Sequence, residues 1–349
     1  MSEVVVVGAG VFGLACAVRL AEAGLKVRVM ADMAPEATAS GVAAGMLAPA
    51  FETALDPPET DALDLMLAAR DLWPALARRL GTGLDRSGAL ATGPAGWLAG
   101  LEARMSGLGL PTEAVGRSRL EAWAPGVNPA FERGFVCRED WRVEPRPVLA
   151  ALASRLEELG GGVERGRLTP GAAIGAGSLL VLAGGADRSL SLLAPELACL
   201  SPIKGQILAR SSPSGPAGVV RTRGAYALAA GQGIAAGATM EPGREDLDAD
   251  LEAQAGLRQA VSDLFPGLPQ SGWETRVGVR AASPDGLPLA GRSRHPGVFI
   301  AAGARRNGWL LAPLVAEIVT AAVTGEDAGP WAGRLDPARF GERREGDWT

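Results

Sequence analysis

The feature that most constrains this chain is its first thirty-odd residues. Val4 to Val7 is a short run of β-branched residues, which reads as a buried strand. The turn GAGVFG follows at once, with glycines at Gly8, Gly10 and Gly13 around Val11 and Phe12. An apolar helix is expected to about Ala23, with Gly24 where a C-cap glycine belongs. Lys26 to Met30 reads as a second strand, and Ala31 and Asp32 stand at its end. This is G-x-G-x-x-G between a strand and a helix, the context in which it binds a dinucleotide. Gly8 allows the tight turn, Gly10 lets backbone approach a pyrophosphate, and Gly13 lets helix and strand pack closely. The helix N-terminus offers free N–H groups to phosphate, and the acid after the second strand suits a ribose. The fold class that follows is α/β, built on a Rossmann-type parallel sheet. The motif alone does not choose FAD over NAD.

Composition removes several other chemistries. A net charge of −5 argues against nucleic acid or an anionic membrane as partner. No apolar run reaches membrane-spanning length, and the early first strand leaves no room for a signal peptide. Three dispersed cysteines, Cys16, Cys137 and Cys199, make neither a disulfide framework nor a metal site and fit a reducing cytoplasm. The single histidine, His295, lies in a polar loop, SRHPG. Ser–His–Asp hydrolysis and His-rich metal centres are therefore disfavoured. Catalysis is left to a cofactor, arginines, carboxylates or the single tyrosine, Tyr226.

With 349 residues, the chain has room for two domains. Residues 33–50 are dominated by small side chains, so the backbone around Ser40, Ala44, Gly45 and Met46 can pass close to a cofactor. Residues 60–81 read as one helix on leucine periodicity, with Trp73 as core packing. Residues 84–136 are broken by glycine and proline, with a helix near 95–108 and no strand that can be placed with ease. Residues 140–160 read as a helix with Pro145 or Pro147 in its first turn. Ser178 to Leu182 is another buried strand, and it runs into Ala183 and Gly184. Residues 200–275 leave the first domain again: SPIKGQILA reads as a strand, 225–240 as a hairpin turning near Gly231–Gly233, and 247–264 as a helix. Residues 276–291 and 298–316 bring the chain back, and the tail from 326 is rich in Gly, Pro, Arg and Glu, a composition that favours partial disorder. The expected division is 1–50, 140–200 and 276–349 for a discontinuous cofactor domain, and 51–139 and 201–275 for a substrate domain.

AAGMLAP (residues 43–49) and RNGWLLAP (306–313) sharpen the picture. With these, and with VEPR, AGGAD, PIKGQIL, GATM and SPDGLPLAG in order, the chain resembles the amino-acid oxidase group of FAD enzymes, and within it the glycine oxidases of thiamine biosynthesis. The resemblance implies a discontinuous FAD domain with an inserted α+β antiparallel-sheet substrate domain. It implies that Arg280 grips a substrate carboxylate, that Tyr226 hydrogen-bonds the substrate, and that Arg306, more than Arg305, lies near the amine and the flavin. A guanidinium fork suits a planar carboxylate. It also implies FAD contacts at Leu168 and along Gly303, Arg305, Asn307, Gly308, Trp309 and Leu310, whose N–H groups precede a helix and can stabilise a reduced ring.

The reaction implied is oxidative deamination of glycine or a small D-amino acid, with hydride passing from the α-carbon to flavin N5 and O2 as acceptor. Three features depart from the family. Ala31 stands where glycine oxidases usually carry Glu, Ala304 and Arg305 precede Asn307 in place of aromatic or histidine residues, and the stretch 163–178 is short, which trims a hairpin that normally flanks the adenine. The alternatives are a D-amino-acid or N-methyl amino-acid oxidase or dehydrogenase, or a flavin-binding protein without catalysis. A homo-oligomer is compatible with the sequence.

Overall fold

The computed structural model describes residues 3–56, 62–168, 177–185, 187–212 and 215–340. Two sheets organise them. The first has six strands in the order Leu289–Arg292, Val298–Ala302, Leu179–Leu182, Glu3–Val7, Lys26–Ala31 and Val163–Arg165. All neighbours are parallel except the Leu289–Arg292 edge. Its central strand is fully buried from Val4 to Val6, as expected of a parallel sheet covered on both faces. Helices Val11–Glu22 and Gly308–Thr324 pack together over one face, joined by Leu149, Leu152 and Leu156 of helix Pro145–Glu158.

The second sheet has nine strands, in which the long strand Ser201–Ser211 pairs with Gly233–Gly237, Glu241–Pro242 and Glu274–Ala282. Residues opposite one another across a sheet share a face. The register therefore sets Arg276, Ile207, Gly237, Tyr226, Arg221, Ala91 and Phe135 in one continuous row. Glycine and alanine fill much of this sheet, which leaves its face low and lets large side chains lie flat on it.

Several sequence expectations are corrected. Residues 60–81 form two helices, Leu63–Asp71 and Trp73–Leu80, because Pro74 starts a new helix in its first turn. Both pack into the core of the six-stranded sheet through Leu65, Met66, Ala69, Trp73 and Leu76, where the sequence leads one to expect substrate domain over 51–139. Residues 276–282, assigned to the cofactor domain, lie in the nine-stranded sheet. The helix expected from 247 begins at Ala255. Before it, Asp250 accepts from the amides of Glu252 and Ala253, and such local bonds compete with helix. In 84–136 three strands form, Ala89–Thr92, Glu113–Gly116 and Arg133–Cys137. The helix expected from 140 starts at Pro145, and Trp141–Arg142 instead pairs with Met46–Leu47. The tail is ordered to Phe340, where Arg339 binds Asp285; the last nine positions of the sequence, and residues 169–176 of the shortened stretch, lie outside the described residues.

Candidate active site

The glycine turn is built as a cradle. Gly8 has φ +109°, and a Cβ there would meet the Ala183 carbonyl at 2.7 Å. A Cβ on Gly13 would strike the Gly8 carbonyl at 1.9 Å, so strand and helix approach as closely as backbone allows. Gly10 meets only the Ser40 hydroxyl, at 3.2 Å, and opens on a cleft. The Val11 amide donates to Ser40 Oγ at 3.0 Å, tying the turn to the short helix Ala39–Val42. From Gly10, Val11 and Phe12 the cleft passes Ser40 and Ala183, then Gly303 to Arg306, Gly308 and Trp309, and reaches Arg280.

Two helix N-termini, at Val11 and Gly308, thus face one cleft, and neither has a side-chain cap. Their first-turn amides have no intrahelical partner and suit phosphate and flavin carbonyl oxygens. This donor set, with Gly10 open where a pyrophosphate must approach, fits FAD. Asp32 is exposed just beyond its strand. Ala31, Leu168 and Leu310 are buried in the core, and none of the three lines the cleft. Gly184 is pressed against Leu190, and Asn307 turns the chain by donating its amide to the Ala304 carbonyl. Gly45, at φ +73°, lies against the Val143 carbonyl. Met46 starts the short strand beside it, while Ala44 lines a different cavity.

At the far end of the cleft Arg280 lies flat across Gly205. A Cβ on Gly205 would meet both Nη atoms at 2.4 Å. The guanidinium touches the Thr239 carbonyl at 3.5 Å and Met240 Sδ at 3.2 Å, and neither contact neutralises it. Burial lowers its pKa, offset in part by Tyr226. Tyr226 is 8 % exposed and stands over Gly237, where a Cβ would meet its hydroxyl at 2.3 Å. Burial pushes this phenol up to about 12, so it remains a hydrogen-bond donor at neutral pH. Two glycines that sequence reading passed over, Gly205 and Gly237, therefore make the space for the two side chains it singled out. The legible signal was glycine inside a strand, which marks close approach.

An acid–arginine cluster closes the site, and the sequence singles out only its Arg305 and Arg306, not Glu52, Asp56 or Arg221. Glu52, on helix Pro49–Leu55, bonds Arg221 Nη2 at 2.9 Å and pairs with Arg306 Nε. Burial acts to raise the Glu52 pKa, but Arg306 and Arg221 outweigh it and hold the carboxyl below its usual value. Asp56 binds Arg306 Nη1 at 2.8 Å and Arg305 Nη1 at 2.7 Å. Both arginines line the cleft, and both are engaged by acids; among the described residues Arg280, also on the cleft, has no acid partner. The helix carrying Glu52 is held by buried Asp140, which accepts from the Ala50 and Phe51 amides at 2.8 and 3.2 Å. His295 is exposed, as expected.

Trp73 fixes the other side of the cleft. Pro313 has no N–H, so the Trp309 carbonyl loses its helical partner. Trp73 Nε1 donates to that carbonyl at 3.1 Å and to the Leu310 carbonyl at 3.2 Å. Trp309 Nε1 in turn donates to the Ser40 carbonyl at 3.1 Å.

Fold and cleft together define a dinucleotide-binding oxidoreductase whose parallel sheet and nine-stranded sheet both line the cleft. The chain belongs to the FAD dependent oxidoreductase family, DAO, whose model matches residues 3–322. It is 30% identical over 374 residues to a glycine oxidase of Pseudomonas aeruginosa, covering 96% of this chain and 100% of that protein. It is 32% identical to the tRNA 5-methylaminomethyl-2-thiouridine biosynthesis bifunctional protein MnmC of Maricaulis maris, over 98% of this chain and 56% of that one. Its fold matches a glycine oxidase from Geobacillus kaustophilus with a TM-score of 0.83 at 25% identity, over 97% of this chain and 99% of the other. The protein is an FAD-dependent oxidoreductase of the amino-acid oxidase type. Among the described residues no helix is long and apolar enough to cross a membrane, and no group of His, Cys, Asp or Glu could hold a metal ion.

Proposed function

We propose that this protein oxidises glycine or another small amino acid to its imine, with O2 as acceptor. The observation that carries this reading is Arg280: a half-buried, unneutralised guanidinium beside Tyr226, on the sheet face that meets the cleft. A substrate carboxylate bound to its fork fixes one end of the molecule. Tyr226 donates its retained proton to the same carboxylate, because its phenol stays neutral in a buried setting. That grip holds the α-carbon over the cleft and makes the reaction effectively intramolecular. Arg221, Arg280, Arg305 and Arg306 outnumber Glu52 and Asp56 around the cleft, a positive surplus that favours the neutral amine needed for reaction. FAD held by the glycine turn and the two helix N-termini would supply the redox chemistry, as the acceptor of the α-carbon hydride with O2 as the final oxidant and H2O2 as its product. The imine then hydrolyses, giving glyoxylate from glycine. Likeness to glycine oxidases supports a place in thiamine thiazole biosynthesis.

The test is anaerobic addition of glycine, sarcosine and D-amino acids to the flavin-loaded protein, followed by absorbance. Bleaching by glycine is the expected result. Bleaching only by larger D-amino acids reassigns the substrate, and a flavin that nothing reduces refutes the reaction.

A further inference from the structure

A second cavity, of about 540 Å³, lies on the same sheet face as Arg280 and is not needed for the reaction above. That volume is in the range of small-molecule sites. Its floor is apolar: Ile207, Ala209, Leu228 and Ala235 of the nine-stranded sheet. Its roof is Val42 to Ala44 and the start of helix Pro145–Glu158. Helix Ala39–Val42 separates it from the flavin cleft. That helix rests on Gly278, where a Cβ would meet Ala39 Cα at 3.1 Å. Gly278 sits midway between Arg280, which lines the cleft, and Arg276, which lines the chamber. Two residues apart on a strand share a face, so the two arginines stand on one face on opposite sides of the helix.

The chamber carries an under-compensated charge. Arg142 is 8 % exposed, and among the described residues its guanidinium makes no hydrogen bond. Its one ion pair there is with Glu144, at 3.6 Å, and that carboxylate is largely in solvent. Burial lowers the Arg142 pKa, with Glu144 and Asp85 opposing. Arg276 has only its strand neighbour Glu274, at 3.4 Å. Arg210, by contrast, is spent on the Pro269 and Ser271 carbonyls. A buried guanidinium with one long contact invites an anion that can occupy its fork.

We propose that this chamber is a binding site for a small organic carboxylate with an apolar body, separate from the amino-acid site. Arg142 takes the carboxylate, Arg276 flanks it, and the body lies on Ile207, Leu228 and Ala235. The proposal does not depend on which amino acid is oxidised.

The test is calorimetric titration of 2-naphthoate into flavin-loaded protein. One equivalent is expected to bind, with affinity reduced at least tenfold in Arg142→Met and several-fold in Arg276→Gln, and retained in Arg280→Leu. Arg276 is partly exposed, so its variant keeps the fold and decides the matter if Arg142→Met does not fold. Absence of binding, binding that neither chamber variant weakens, or binding lost only in Arg280→Leu would each overturn the proposal; the last would place the ligand in the amino-acid site.

Discussion

Gly205→Ala tests the geometry of the carboxylate grip without removing any charged group. The added Cβ would sit 2.4 Å from both Nη atoms of Arg280 and 2.5 Å from Cζ. Non-bonded contacts need about 3.5 Å, so the guanidinium must move by roughly 1 Å. The three atoms nearest the added Cβ all belong to the far end of a long side chain, which can shift. Gly205 lies in a strand without positive φ, where replacing glycine relieves about 0.5–1 kcal/mol of conformational entropy cost. Folding and flavin content should therefore be preserved. A two-pronged grip displaced by that distance loses one of its bonds to the substrate. A charge-assisted bond contributes about 1.5–3 kcal/mol, which corresponds to a KM raised roughly 10–100-fold. The assay is steady-state peroxide production against glycine concentration, with melting temperature and flavin content measured on the same preparation. A folded, flavin-loaded Gly205→Ala enzyme with the parental KM would refute the placement of Arg280 as the carboxylate grip.

Arg280→Leu removes the same contact outright, so its KM should rise at least as far as that of Gly205→Ala; equal KM values for parent and variant remove Arg280 from the site. Glu52→Gln takes away the carboxylate shared by buried Arg221 and Arg306, and breaking such a buried pair costs about 3–5 kcal/mol, read as a lower denaturation midpoint. An unchanged midpoint would show that the pair is replaceable by water. Asp140 has its carboxyl pushed up to about 7 by burial. A raised carboxyl pKa means that its contribution to stability is fully present below the unfolded value near 3.9 and is lost as pH rises through about 7. Chemical denaturation across that window should show a shallower fall for Asp140→Asn than for the parent, and parallel curves would contradict the assigned shift.

The parallel-sheet half of the fold was legible because its information is local. Val4 to Asp32 carries strand, glycine turn, helix, cap and acid in unbroken order, and Gly13 answers a contact inside the unit, with the Gly8 carbonyl. The same holds for the strand at Leu179 and the glycine turn before helix Gly308–Thr324. Motif resemblance reached Arg280 and Tyr226, whose partners are far away in sequence. Periodicity could not show where helices 63–80 dock, since an apolar stripe names a buried face and not the surface that covers it. The strands between 84 and 136 were hidden because they are short and rich in small residues, and hydrogen bonding to distant partners fixes them. Glu52 and Arg221 read as ordinary charges in apolar segments; burial together, 169 positions apart, makes them a pair. Sequence alone thus determined that a dinucleotide is held at the end of a parallel sheet, because those contacts are made between neighbours. Tertiary structure decided which cleft guanidiniums are neutralised, because that depends on which acids the fold brings within reach of Arg305 and Arg306 and withholds from Arg280.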